Sequence, residues 1–417
     1  MSLLIKGAKV IDPGNNINGY FNVGIKNGLI NEIAIQTKEE YDQVIDGHGK
    51  ILCPGFIDAH VHLRVPGQSD KENLLTGTKA ALKGGFTTVA TMPNTIPVTD
   101  TVVKLKQLKE KIKKEALMDV LPIVSVTLNQ EGNVLVDFEA LKNDALAFSD
   151  DGMAIMDETV LEKAFKALPK KSFIISHCED FSISKKYTQG PWPCIAESSI
   201  VERNLKVAQK YNKRIHIAHI SCEKSLNSII KGKTSGIKVT CEITPHHFSL
   251  ASEMIDMKSP YTKVNPPIRS EYHRKKMIDG IRNDAIDIIA TDHAPHEDKS
   301  KKVSYEKASF GISGIEYAFP LAYTTLVVKE NIPIEKIIAM LTNRPAEILN
   351  IDKGKIGLGD SADLVLIDLS KDEIIDSNKF ISKGKNTPFN GHTVKSSVEI
   401  TIKSGKIKYQ RSENNEY

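Results

Sequence analysis

Apolar and polar positions divide the chain into three stretches with different periods. Over residues 1–50 the apolar runs are short, at 3–5, 10–11, 22–25 and 29–33, and are cut by Pro13-Gly14, Asn15-Asn16 and Asn27-Gly28. Asn-Gly between two apolar runs is a hairpin signal, so this stretch reads as a small β unit. From 51 to 350 the pattern becomes apolar strand, polar tip, amphipathic helix, repeated. Strands are expected at 51–59, 87–92, 119–126, 145–149, 172–176, 214–218, 238–244 and 285–291. Helices are expected at 72–83, 101–115, 158–167, 198–210, 223–231 and 271–281. Runs such as Phe173-Ile-Ile175 are apolar without alternation, as in a parallel strand covered on both faces. After Leu349 the chain turns strand-like again at 363–368 and 398–403, and 404–409 completes a hairpin. The tail 410–417 is polar and expected to fray.

Eight strand–helix units over 51–350 match a TIM-like (β/α)8 barrel, an α/β fold. A doubly wound open sheet shares the alternation and is the competing architecture. Segments 1–50 and 351–417 are expected to pair as one small β domain built from both ends of the chain.

Composition narrows the class of protein. The 417 residues are 40% hydrophobic and 26% charged, ordinary for a large globular chain. The net charge is +4 and lysines are mixed with acids, so no basic block suggests nucleic acid. No apolar run is long enough to span a membrane, and Met-Ser-Leu-Leu-Ile-Lys6 lacks the regions of a signal peptide. Five scattered cysteines (Cys53, Cys178, Cys194, Cys222, Cys241) include no C-x-x-C pair, which fits a reducing cytoplasm. Cys178 beside His177 is a poor nucleophile candidate, since adjacent strand residues face opposite sides.

Polar residues gather where the expected strands end, which in a barrel is the mouth that carries the chemistry. They are His60 and His62, Asn94, Asp150-Asp151, His177, His219 and Asp292, with Asn265 and His296 in loops. His60 and His62 share a strand face and can hold one divalent ion; Asp58 would lie on that face too. Histidines and carboxylates suit borderline divalent metals, zinc first. One ion needs only His60, His62 and a carboxylate. A second ion accounts for His177 and His219, with an acid shared between the two. Plainer readings exist: a histidine can cap an apolar strand, and Asp150-Asp151-Gly152 can be a turn. His216 is expected to face away from His219, and His246 and His247 are expected to be structural. The run 299–302 reads as a solvated, charged loop.

The motifs carry a family resemblance along nearly the whole chain. They are Gly55-Phe-Ile-Asp-Ala-His-Val-His-Leu-Arg64, Thr91-Met-Pro-Asn94, Phe148-Ser-Asp-Asp-Gly152 and Ser176-His-Cys-Glu-Asp180. Ile217-Ala-His-Ile-Ser221, Glu242-Ile-Thr-Pro-His-His247, Lys263-Val-Asn-Pro-Pro267 and Ala290-Thr-Asp-His-Ala-Pro-His296 follow in order. Together they resemble the amidohydrolase superfamily and, within it, the bacterial type I dihydroorotases.

The resemblance implies two zinc ions. His60, His62 and Asp292 would hold one and His177 with His219 the other, bridged by Asp151 and a hydroxide, with Asp150 as the alternative bridging acid. Asp292 would serve as general acid and base. The implied substrate contacts are Arg64, Asn94, Asn265, His296 and the Phe310-Gly311 backbone, with Arg64, two residues past His62, gripping a carboxylate. The implied reaction is the reversible cyclisation of N-carbamoyl-L-aspartate to (S)-dihydroorotate and water, in pyrimidine biosynthesis. The implied partners are a second copy of the chain or aspartate transcarbamoylase. Two alternatives belong beside this reading. One is another cyclic amidase, allantoinase-like or dihydropyrimidinase-like. Segment 145–152 tells against the hydantoinase pattern, because it holds no lysine where those enzymes carry a carbamylated one. The other is a noncatalytic scaffold for aspartate transcarbamoylase; such relatives lack the ligand histidines that this chain keeps. Three departures stand out: Val65 where the family has an acid, a shortened stretch between His177 and His219, and a shortened helix before His177.

Overall fold

The computed structural model describes residues 2–188 and 190–411. Of the tail expected to fray, Gln410 ends the last strand, and 412–417 lie outside the described residues. Among the described residues, strands from both chain ends form one eight-stranded sheet. Ser2–Asp12, Ile17–Lys26 and Leu29–Ala34 are successive antiparallel neighbours. The second connection is the Asn27-Gly28 turn, where both residues take positive φ (54° and 83°), as the hairpin signal predicts. From the other end come Leu364–Ile374, Thr393–Lys403 and Lys406–Gln410. The seam between the two halves is Ile51–Pro54, parallel to Ser2–Asp12 and antiparallel to Leu364–Ile374. Ile5, Val10, Leu52, Leu364 and Ile402 bury the seam from both halves.

The stretch expected as one strand at 51–59 is therefore two strands. Ile51–Pro54 stays with the sheet, and Phe56–Val61 starts the barrel. Gly55 separates them at a close approach. A Cβ there would lie 2.3 Å from Thr87 Oγ1, so the chain passes only because the residue is glycine.

Phe56–Val61, Phe86–Thr91 and Asp119–Pro122 are parallel neighbours, as are Ile174–Ser176, Ile215–Ile217, Val239–Ile243 and Ile288–Ile289. The expected strand 145–149 shrinks to parallel bridges from Phe148 to Val124 and to Ile174. A parallel bridge from Val61 to His293 closes the ring, with the His62 N–H donating to His293 O at 2.9 Å. Closure excludes the open doubly wound sheet: the fold is a (β/α)8 barrel joined to a β-rich sheet.

Leu74–Lys83, Val102–Glu115, Glu158–Ala167, Ile195–Lys210, Glu223–Thr234 and Glu271–Arg282 are the expected helices, shifted by a few residues at their ends. Side-chain caps mark several starts: Asn73 accepts from Thr76 N–H at 2.8 Å and Asp157 from Thr159 N–H at 2.8 Å. Phe86, Phe165, Leu205, Ile229 and Phe319 pack the helices onto the barrel wall. The helices Ile334–Leu341 and Asn343–Leu349 are not among the expected ones; the first buries Ile337, Ile338 and Leu341 while Glu335 and Lys336 keep a polar face. The run 299–302, expected as a solvated loop, instead contributes to the short helix Asp298–Lys301, and Lys301 is fully buried (0% exposed). No helix of the described residues is long and apolar enough to cross a membrane.

Candidate metal and catalytic site

The strand ends bring together residues from five of the barrel's eight positions. His60 sits in Phe56–Val61 and His62 one residue past it; His177, His219 and Asp292 follow the strands Ile174–Ser176, Ile215–Ile217 and Ile288–Ile289, and Asp151 follows the Phe148 bridge. All six are buried. His60 Nε2 lies 3.3 Å from Asp151 Oδ1 and 3.5 Å from Asp292 Oδ1. His62 Nε2 lies 3.0 Å from Asp292 Oδ1 and 3.4 Å from Asp151 Oδ2. On the other side, His177 Nδ1 and His219 Nε2 are 3.8 and 3.7 Å from Asp151 Oδ1 and 3.0 Å from each other. Asp151 thus lies among all four imidazoles.

The outer nitrogens are already committed. His60 Nδ1–H donates to Glu242 Oε1 at 2.6 Å, His62 Nδ1–H to Asn94 Oδ1 at 2.9 Å, and His177 Nε2–H to Glu179 Oε2 at 3.1 Å. The inner nitrogens are thus turned into the cluster: His62 Nε2 lies within hydrogen-bond reach of Asp292 Oδ1 at 3.0 Å, and His177 Nδ1 meets His219 Nε2 at 3.0 Å. His60 Nε2 and Asp151 Oδ1 are buried without a hydrogen-bond partner. A carboxylate oxygen and an imidazole nitrogen so placed need positive charge between them, which either a proton on the ring or a metal ion supplies. The sets His60–Asp151–His219 and His60–His62–Asp292 each bring their ligand atoms within 4.8 Å of one another, a donor chemistry that fits divalent ions.

Electrostatics points the same way. Burial raises Asp151 and Asp292, yet the facing imidazoles, His60 foremost, hold both carboxyls well below their usual range. Burial lowers His60, but Asp151 and Glu242 more than reverse it.

Asp150 and Asp151 separate cleanly. Asp150 accepts from Val126 N–H (2.7 Å), Thr127 N–H (3.1 Å) and Thr127 Oγ1–H (2.5 Å), so its oxygens are occupied in the scaffold. Asp58 is likewise scaffold. It accepts from Thr291 N–H (3.0 Å), Thr291 Oγ1–H (2.5 Å) and His60 N–H (3.1 Å), tying the first barrel strand to the last. His247 bonds Thr244 Oγ1 (2.7 Å) and Pro266 O (3.1 Å) and is structural. His246 is buried beside it. Cys178 is buried with its thiol pushed up to about 12 by desolvation, which suits no nucleophile. His216, expected to face away from His219 and to be structural, is held by Thr240 Oγ1 (2.8 Å) and Glu242 Oε2 (3.1 Å); it is structural, but through Glu242 it backs His60. Strand parity fails between His216 and His219 because His219 has φ 30° and leaves the strand path.

Arg64 and Asp292 also have positive φ, 60° and 47°. Such backbone is strained for side chains with a Cβ and persists where surroundings over-determine it, commonly at functional sites. The buried Arg64 guanidinium donates through Nε to Pro295 O (3.2 Å) and lies 3.1 Å from His296 Nε2, which is also 2.7 Å from Phe310 O. Both partners are neutral: burial, and then the Arg64 charge, push His296 down to about 2. Asn265 Nδ2 donates to Glu179 Oε2 at 2.6 Å, and its Oδ1 is buried without a partner. Asn94 is engaged behind the cluster, accepting from His62 and donating to Asp151 Oδ2 at 3.3 Å. The Gly311 N–H donates to Lys263 O (3.0 Å) and its carbonyl accepts from Asn386 Nδ2 (3.0 Å).

Two acids without a foreseen role complete the site. Glu242 bridges His60 and His216, which hold it down to about 2 against the effect of burial. Glu179 links His177 to Asn265. The available signal was a carboxylate inside the apolar strand Val239–Ile243, since a buried acid is rare without a partner.

Comparison with known proteins matches residues 51–408 to the amidohydrolase family model. A protein from Bacillus cytotoxicus named dihydroorotase is 40% identical over 424 aligned positions, covering 99% of each chain. A Bacillus cereus protein of the same name is 40% identical, covering 93% of this chain and 94% of its own. Among solved structures, the L-hydantoinase (dihydropyrimidinase) of Arthrobacter aurescens superposes with TM-score 0.90 at 22% identity, covering 99% of this chain and 96% of that one. The dihydropyrimidinase of Brevibacillus agri gives 0.88 at 21% identity, covering 98% and 95%.

Proposed function

The chain belongs to the amidohydrolase family, and from that premise we propose that it is a dihydroorotase, interconverting N-carbamoyl-L-aspartate and (S)-dihydroorotate. The observation that carries the proposal is Arg64, a buried guanidinium at the barrel mouth whose bonded partners are both neutral. Dihydroorotate carries a carboxylate beside its ring, which a guanidinium can bind through two parallel N–H donors. Hydantoins and dihydropyrimidines carry none. The relatives named dihydroorotase share far more sequence with this chain than the hydantoinases, whose likeness is one of fold.

In this reading His60, His62 and Asp292 would hold one zinc ion and His177 with His219 a second, with Asp151 as the acid available to both. Bound zinc would supply a Lewis acid that acidifies water and polarises a carbonyl. The protein's own groups do the rest. Asp292, ionised because His60 and His62 hold its carboxyl low against burial, accepts a proton from the attacking water and returns it to the ring nitrogen that leaves. Cyclisation runs these transfers in reverse. Glu242, Asn94 and Glu179 keep His60, His62 and His177 turned so that their inner nitrogens face Asp151. Arg64 fixes the substrate carboxylate, and His296 and Asn265 line the same mouth. The five cysteines are free, and a cytoplasmic setting keeps them so.

The test is turnover of dihydroorotate by the purified protein, beside hydantoin and dihydrouracil. Dihydroorotate is expected to be strongly preferred, a chelator to abolish activity, zinc to restore it, and Asp292→Asn to cost about 10³-fold or more in kcat. Preference for either unsubstituted ring would sink the reading.

A further inference from the structure

Lys301 is fully buried, yet it makes no bond to an acid. Its Nζ donates to three backbone carbonyls: Ser309 O at 2.7 Å, Pro260 O at 3.0 Å and Lys263 O at 3.2 Å. The two acids nearest in sequence go to other lysines, Glu297 to Lys299 and Asp298 to Lys302. Burying an ammonium without a counter-charge is costly. Desolvation, and then the nearby Lys263 ammonium, pull the amine down to about 7. Three converging carbonyl dipoles are what holds the proton there, and an ammonium offers one N–H to each.

The three carbonyls belong to two loops. Pro260 and Lys263 precede Asn265, whose amide reaches Glu179 and His177. Ser309 precedes Phe310, whose carbonyl lies against His296 and so next to Arg64. Lys263 O accepts from Gly311 N–H as well as from Lys301. A second lysine ties the same loops. Lys263 Nζ donates to Glu306 O at 2.9 Å and sits 4.6 Å over the Phe310 ring. Phe310 itself is half exposed, whereas Tyr305 and Ala308 of the same loop are buried, and Lys263 Nζ also lies 5.3 Å over the Tyr305 ring.

We propose that Lys301 is a positioning residue for the substrate pocket, its ammonium pinning the loop that carries Asn265 to the loop that carries Phe310. It touches neither the acid–histidine cluster nor Arg64, so it acts on how the mouth is shaped around the substrate. The proposal rests on the dihydroorotase reading for its substrate but not for its geometry.

Two variants test it, Lys301→Met, which keeps the length without the charge, and Lys301→Gln, which keeps a donor. Because the residue is remote from the reacting atoms, KM for dihydroorotate is expected to rise about tenfold in Lys301→Met. Lys301→Gln should fall between it and the wild type. For both, kcat and zinc content should stay within about twofold of the wild type, since the cluster is untouched. An unchanged KM overturns the assignment. So does joint loss of kcat, zinc and thermal stability, which would mark a purely structural residue. Limited proteolysis within 302–308 needs no substrate: Lys301→Met should be cut about tenfold faster there, and equal rates overturn the pin. Wild-type protein inert toward dihydroorotate would sink the functional reading alone, leaving Lys301 to be judged by proteolysis.

Discussion

Glu242 shows how one side chain behind the cluster governs those in it. Its two oxygens take His60 Nδ1 and His216 Nε2, at 2.6 and 3.1 Å, which fixes which nitrogen of His60 turns inward. Glu242→Gln keeps the shape but weakens the hold on the His60 tautomer. Outer-sphere carboxylates of this kind typically matter about 10- to 100-fold in metal affinity. The variant is therefore expected to bind zinc at least about tenfold more weakly by competition with a chelating dye, and to recover turnover in excess zinc. Arg64 makes the complementary case for substrate. Lys in its place supplies a point charge without the planar fork. Losing one charge-assisted bond is worth about 2 kcal/mol, so Arg64→Lys should raise KM for dihydroorotate about thirtyfold with zinc content unchanged. An unaltered KM would remove Arg64 from the carboxylate site.

At the scale of elements, the barrel was legible because parallel strands buried on both faces are apolar until they end. Polar residues then mark the mouth directly, which is why His60, His62, Asp151, His177, His219 and Asp292 stood out together. Reasoning by strand parity failed once the strands stopped. His219, Arg64 and Asp292 have φ of 30°, 60° and 47°, so counting residues past a strand end says nothing about direction. His216 is structural as its position suggests, yet it backs His60 through Glu242, which residue counting does not reveal. Asp58 does alternate with His60, but Thr291 and the His60 N–H occupy its oxygens. Glu242 and Lys301 were missed because a buried charge leaves no periodic trace; only the fold shows its partners. The junction at Gly55 was hidden too, since 51–59 is one unbroken apolar run apart from Asp58 and Pro54. Gly55→Val would drive its side chain into Thr87, whose Cγ2 and Oγ1 lie 2.3 Å from where the new Cβ would stand. Overpacking of this kind costs about 2 kcal/mol, to be read as a lowered midpoint in urea with an unchanged slope.

The molecule as a whole is joined at the barrel end remote from the chemistry. Asp119 opens the strand Asp119–Pro122, Asp363 immediately precedes Leu364–Ile374, Lys403 closes Thr393–Lys403, and Lys353 follows the helix Asn343–Leu349. Each lysine reaches both acids: Lys353 at 2.7 and 2.9 Å from Asp119 and Asp363, Lys403 at 2.9 and 2.8 Å. Asp363 also accepts from Ser404 N–H at 2.8 Å. Burial raises the Asp363 carboxyl, but Lys403 and Lys353 outweigh it and hold it below its usual 3.8. A depressed carboxyl stabilises the fold while ionised, so its contribution is complete above about pH 4 and is lost as pH falls through the lower folded value. Asp363→Asn leaves two mostly buried ammonium groups facing Asp119 alone, a loss of about 3 kcal/mol for a broken buried pair. Urea unfolding at pH 7 should show that loss, and the gap between variant and wild type should narrow as pH is lowered from 4 toward 2. Because the junction lies at the strand starts and the cluster at the strand ends, KM and kcat of the folded variant should match the wild type. A pH-independent gap would mean that Asp363 acts through its shape and its bond to Ser404 rather than through its charge.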